Sequence, residues 1–303
     1  MTGQPTAHVG VRTRAATVTA LPSYDPNRPF VWTRTPAFAP LITDATRASI
    51  LHASTPMMYL SPAQQVDDSL RHKATGDRSA FASVLTRQVS APALARALTA
   101  AVQQCPSIDI SPDGAPEELP PRLHRTLTVF DEAPRAHAAQ RTRFEQLVKT
   151  KTSQRFRAVV RAVVDDGETV PVHGGAGLGA LVAPVSAALP WTLLTGEDLG
   201  FGPASFDVAY MMGDCVEVLA AATRVGRADV AQTMLSCLDE LASSCAASGD
   251  DESLAALTAL RIVIHAHDAV LHLGMSSGID GLIDLADTVF ESGNVRRWCR
   301  ELR

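Results

Sequence analysis

Thr195-Gly196-Glu197-Asp198-Leu199-Gly200-Phe201-Gly202-Pro203-Ala204-Ser205-Phe206-Asp207 is the stretch on which the reading of the fold turns. Gly200-Phe201-Gly202-Pro203 interrupts regular structure and marks a turn. Asp207 then stands just ahead of the apolar run Val208–Met212, where an acidic residue suits the start of a helix. About twenty residues upstream, Val170 and Val172 lead an extended segment into His173-Gly174-Gly175. The glycines from Gly174 to Gly179 are not a phosphate-binding fingerprint, because no strand-to-helix turn surrounds them.

Taken together, the two segments resemble the catalytic core of the aminoglycoside phosphotransferase family. There the first motif reads His-Gly-Asp with Asn five residues on. The second reads Asp-Trp-Glu, a Gly-aromatic-Gly turn, and an Asp twelve residues after the first. The spacing persists in Glu197, in Gly200, Phe201 and Gly202, and in Asp207. The chemistry does not: Gly175 stands for the catalytic Asp, Ala180 for the Asn and Thr195 for the metal-holding Asp. The resemblance covers about residues 85–300 and implies an α+β, protein-kinase-like phosphotransferase fold. Its expected parts are a reduced N-terminal lobe, 1–84, and a largely helical C-terminal lobe, 85–303.

Phosphoryl transfer works by positioning and charge neutralisation, so its parts are not optional. No glycine occurs between Gly10 and Gly76, where a flexible loop over the phosphates would be needed. The first lysine is Lys73, beside His72 in a segment, Pro62–His72, that reads as a helix. Gly175, Ala180 and Thr195 carry no carboxylate or amide for magnesium. No nucleotide or metal cofactor is therefore expected. Glu197 and Asp198 lie near enough to the lost metal position to count as relocated ligands.

His173 has two readings, a structural brace for its loop or a proton-moving group in the former cleft. Arg157 and Arg161 are candidate partners for a developing anion. Asp207, by the resemblance, ties the turn to the helix that follows it. His265, Asp268 and His272 share a helix face, with His267 pointing elsewhere. That pattern suits surface hydrogen bonding better than a metal.

Composition narrows the classes. The apolar share is 46% against 19% charged residues, as in ordinary globular proteins. No uninterrupted apolar run approaches the roughly 20 residues of a membrane span, and no apolar leader opens the chain, so a cytoplasmic protein is expected. Residues 205–291 hold fourteen acidic residues against three arginines, a balance that argues against nucleic acid. Cys105, Cys215, Cys237, Cys245 and Cys299 lack metal-type spacing, and Cys215 and Cys237 fall in apolar helical patterns.

Along the chain, residues 1–80 read as irregular, with short strands in Val9–Leu21 and Phe30–Phe38 and a helix at Ala45–His52. Helices are expected over Ala91–Gln104, His137–Lys149 and Ser153–Val164. A loop is expected over Cys105–Pro121 and a hairpin over Leu181–Leu194. Helices then follow over Phe206–Val225, Ala228–Ala246, Leu254–Leu273 and Gly281–Phe290.

Phosphotransferase-like proteins of this kind occur in pathways to thioamitides and class V lanthipeptides. The resemblance therefore implies a repurposed member that binds a ribosomal precursor peptide and promotes dehydration or thioether or aminovinyl-cysteine ring formation. Two other readings stay open. One is a pseudokinase scaffold for a partner biosynthetic enzyme; the other is an active phosphotransferase with relocated metal ligands.

Overall fold

The computed structural model describes residues 8–12, 17–35, 42–110, 118–131, 139–166, 168–196, 198–244, 251–273 and 278–301. The N-terminal part begins with β1 (His8–Arg12), β2 (Thr17–Pro22) and β3 (Phe30–Thr35), antiparallel neighbours. Helix α1 (Asp44–His52) follows, opened by Thr43, whose hydroxyl accepts the Thr46 N–H at 3.1 Å. Next come β4 (Met58–Pro62), β5 (Gln64–Val66), β6 (Ser69–Ala74), β7 (Arg78–Ser79) and α2 (Ala80–Leu85). The first sheet has the order β1-β2-β3-β6-β5.

The helix expected over Pro62–His72 is instead a hairpin of β5 and β6. Leu70, His72 and Ala74 are buried while Arg71 and Lys73 are exposed, a period of two rather than 3.6. Asp67 supplies the turn with φ +54°, a conformation that Asp adopts more readily than most residues. Lys73 thus lies on the outward face of a strand.

Helices dominate thereafter. They are α3 (Ala91–Gln104), α4 (Pro121–Asp131), α5 (Ala139–Lys151) and α6 (Gln154–Asp166), with a 3-10 turn at Cys105–Ser107 after α3. Strands β8 (Thr169–Val172), β9 (Leu181–Ala183), β10 (Trp191–Thr195) and β11 (Gly200–Pro203) interrupt the helices. The chain closes with α7 (Phe206–Arg224), α8 (Ala228–Ser244), α9 (Asp251–Leu273), α10 (Ile279–Glu291) and α11 (Val295–Glu301). Helix α3 has the bounds expected from its sequence. Helix α4 has no counterpart in the sequence reading, which saw only the Pro-rich segment before it; Pro121 is its first residue, where proline's missing N–H costs nothing.

The Leu181–Leu194 hairpin forms, with Thr192 opposite Val182 and Leu193 opposite Leu181. It lies within a four-stranded sheet of order β4-β10-β9-β7, in which β10 runs parallel to β4. This sheet takes β4 and β7 from one side of position 84 and β9 and β10 from the other. The main core likewise joins Ile50, Met58 and Leu60 to the C-terminal helices. Helix α9 packs against α5, α6, α7 and α10. Over Asp251–Val270 it is long and apolar enough to cross a membrane, yet 78% of that window is buried in protein, as befits a core helix.

Candidate functional site

Pairing of β8 with β11 delivers His173 to the start of a tight loop. Asp207, in the first turn of α7, accepts the backbone N–H of His173 at 2.7 Å and that of Gly174 at 3.1 Å. Gly174 has φ +74°, and a Cβ there would collide with the Asp198 carbonyl. The His173 ring is buried, with 4% exposure. Its Nε2 lies 2.9 Å from the Leu194 carbonyl oxygen, which can only accept, so Nε2 carries the proton. Nδ1 accepts the Gly175 N–H at 3.3 Å.

Both ring nitrogens are therefore committed to backbone. Burial pushes the imidazole below its usual range, against the pull of Asp207. In this arrangement both nitrogens hold backbone groups, which is the geometry of a brace for the loop. Asp207 is itself pushed up by burial and held back by His173 and the N–H groups it caps.

The side chain facing this loop is Arg122, from α4. Its Nη2 lies 3.0 Å from Asp198 Oδ2, its Nε 3.0 Å from Asp268 Oδ2 on α9, and its Nη1 donates to the Tyr210 hydroxyl at 2.8 Å. Burial opposes its charge, but Tyr210, Asp198 and Asp268 outweigh that and hold its pKa above the usual value. A side chain starting at Gly175 would meet Arg122 Nη1 at 3.2 Å and Asp198 Oδ2 at 3.3 Å. The Gly175 position is thus bordered by a guanidinium already paired to two aspartates.

A second network continues beneath it. Arg261, from α9, pairs with Asp214 and Glu217 of α7 and lies 5.2 Å from the Tyr210 ring centre. Asp214 Oδ2 also takes the Leu178 N–H at 2.6 Å, fixing the far end of the loop. Glu217, pushed well up by burial, meets His265 Nδ1 at 2.6 Å. From the sheet side Arg34 of β3 reaches the same electrostatic field; burial lowers its pKa and Arg122 adds to this, while Asp198 and Asp268 oppose.

Of the expected site residues, the structure brings His173, Gly175, Asp198 and Asp207 together. Thr195 sits next to the carbonyl that His173 binds, but its hydroxyl turns back to the Leu193 carbonyl at 3.0 Å. Ala180 supplies only backbone, its carbonyl accepting the Leu194 N–H at 2.9 Å. Glu197 lies outside the described residues. Arg161 donates to the Leu127 carbonyl at 3.2 Å and Arg157 is half-buried on the same helix; the arginine against the loop is Arg122. His265 and Asp268 are engaged by Glu217 and Arg122, and no group of three or more potential metal ligands occurs among the described residues. Asp268 was visible within the histidine cluster of the sequence. Arg122, Tyr210 and Arg261 gave no such signal, since their partners lie from 44 to 146 residues away.

No protein-family model matches the chain, and no curated protein matches it. Solved structures do. One of glucosamine kinase is similar with a TM-score of 0.51 at 15% identity, covering 85% of this chain and 73% of that one. Glucosamine kinase in complex with glucosamine, ADP and inorganic phosphate gives 0.50 at 15%, with 94% and 81% covered. An aminoglycoside-3'-phosphotransferase of type VIII gives 0.47 at 13%, with 86% and 93% covered. At these identities the likeness speaks for architecture alone. The chain has the α+β, protein-kinase-like fold of small-molecule phosphotransferases.

Proposed function

We propose that this chain keeps a phosphotransferase fold without phosphoryl transfer, and uses the region around His173 to bind a ribosomally made precursor peptide. There it promotes dehydration or ring closure by holding the peptide rather than by moving a proton through His173. The observation that carries the loss of phosphoryl chemistry is Arg122. A guanidinium paired with a carboxylate competes for its oxygens and repels a divalent cation there. Here Asp198 is paired at 3.0 Å with a guanidinium that also lies 3.2 Å from where a residue-175 side chain would begin.

A pseudokinase scaffold for a partner biosynthetic enzyme is favoured by a different observation, the commitment of both His173 nitrogens to backbone. Such a loop is rigid and suits a docking element as well as a reaction site. Relocated metal ligands fit less well, since Asp198 is already engaged by Arg122.

Calorimetry separates these readings. Titration with ATP or GTP plus magnesium is expected to give no heat of binding; magnesium-dependent micromolar affinity would restore the active phosphotransferase. A dehydrated precursor peptide containing Ser and Cys is expected to bind the lone protein. Binding that appears only with a second enzyme present would favour the scaffold.

A further inference from the structure

Helix α2 carries large apolar residues on both of its faces. Ala80, Ser83 and Val84 are buried, while Phe81 and Leu85, one turn apart, are 42% and 40% exposed. The outward positions of a surface helix are ordinarily polar. The end of α2 is bonded to the turn between α7 and α8. Arg227 Nη2 donates to the Leu85 carbonyl at 3.3 Å, and Arg87 Nε lies 2.6 Å from Asp229 Oδ2, which Arg227 Nη2 also reaches at 3.1 Å. Val225, two residues before Arg227 in that turn, is 69% exposed. Large apolar side chains from α2 and from this turn thus stand exposed on one surface.

The charges around them are mostly of one sign. In residues 80–90 and 221–232 the only acidic residue is Asp229, against Arg87, Arg224 and Arg227. Elsewhere residues 205–291 are strongly acidic, and their one other arginine, Arg261, is buried. Arg87 has φ +59°, a left-handed conformation that Gly and Asn adopt more readily. Among the described residues its guanidinium meets protein through Nε, and its exposed side chain leaves the outer donors to solvent.

We infer that the outer face of α2 and the α7–α8 turn form a docking surface for an acidic amphipathic helix of a partner protein. The partner's apolar stripe covers Phe81, Leu85 and Val225, and its Asp and Glu side chains meet Arg87, Arg224 and Arg227. Charge selects this occupant. A second copy seated through the same patch would set these arginines against their own counterparts. Polybasic segments that hold anionic membranes carry about four to eight cations, and an anionic bilayer would also meet the acidic residues of 205–291. The patch is small, which suits a weak and reversible contact. The surface does not depend on the reading of the region around His173 and survives if that reading fails.

The test titrates the full chain against a fluorescein-labelled peptide of about four helical turns, with Leu at i, i+3, i+4 and i+7 and Glu on the flanks. A copy with every Glu replaced by Lys is the control. Fluorescence anisotropy is expected to saturate with the Glu peptide, to stay low with the Lys peptide, and to fall as sodium chloride is raised. Val225→Gln should weaken binding roughly three- to tenfold, the loss of one apolar contact. Arg87→Gly suits the positive φ and so keeps the fold while removing a guanidinium; it should weaken binding about threefold and flatten the salt dependence. Phe81→Gln replaces the Val225 variant should that one fold poorly. No saturable binding of the Glu peptide overturns the surface, as does equal binding of both peptides or unchanged affinity in the variants. Binding to phosphatidylserine vesicles that Val225→Gln abolishes would assign the surface to a membrane. A dimer that the same change abolishes in sedimentation would assign it to a second copy. Either result also overturns the proposal.

Discussion

Asp207 holds two backbone N–H groups with one carboxylate, and His173 returns the favour to the Leu194 carbonyl and the Gly175 N–H. These are mutually dependent: the loop places the ring, and the ring closes the loop. His173→Ala should therefore act on stability, leaving a buried carbonyl without its donor and a cavity behind it, at about 2–4 kcal/mol in urea unfolding. Asp207→Asn should cost a comparable amount, because its amide would face one of the two N–H groups donor to donor. His173→Gln should recover part of the loss. A His173→Ala protein of unchanged stability would remove the bracing assignment. The sequence left His173 open between brace and base because a side chain's hydrogen-bond partners are set by strands 21 residues apart.

At the scale of elements, Arg122 joins α4 to α7, to α9 and to the segment after β10 through Tyr210, Asp268 and Asp198. Removing one partner of a buried ion pair costs more than the pair contributes, because the remaining charges stay desolvated. Arg122→Leu is expected to destabilise by about 3–5 kcal/mol, read by chemical denaturation, and to loosen the 173–180 loop, read by amide exchange of Gly175 and Leu178. Adding Asp268→Asn should recover part of this by removing one stranded charge; strictly additive losses would show that the two residues do not act together. Helix α3 was legible because Leu94 and Leu98 recur at helical spacing in an alanine-rich run. Strand β6 was not, because six residues with Arg71, His72 and Lys73 in a row carry too short an alternation to outweigh helical propensity.

For the whole molecule, the buried imidazoles couple folding to pH. An unfolded histidine titrates near ~6.5, and folded His72 is brought down to about 4. Between those values the unfolded chain binds the extra proton. The stability that His72 contributes is therefore complete above about pH 6.5 and is lost as pH falls toward 4. His173 acts in the same direction, while Asp207 and Glu217, both pushed up by burial, oppose it over the carboxylate range. The clean measurement is a difference: the stability of the parent chain relative to His72→Asn should shrink by roughly 3 kcal/mol between pH 7 and pH 4. A pH-independent difference would mean that His72 is charged in the folded state or titrates normally there.

The sequence by itself determined the order of the C-terminal helices, the central hairpin and the spacing of the two motifs. It also placed Gly175, Ala180 and Thr195, none of which carries a carboxylate or amide side chain, at the motif positions. Those features are local: periodicity, turn residues and residue identity survive in a linear reading. Only the tertiary structure decided that β4 and β7 share a sheet with β9 and β10. It alone decided that Arg122, paired with Asp198 and Asp268, borders the Gly175 position and that both His173 nitrogens meet backbone while His72 Nε2 has no partner among the described residues. The sheet and the Arg122 pairs depend on groups far apart in the chain, brought together by strand pairing across position 84 and by packing on α9, and the histidine contacts depend on how neighbouring strands and loops lie against each other.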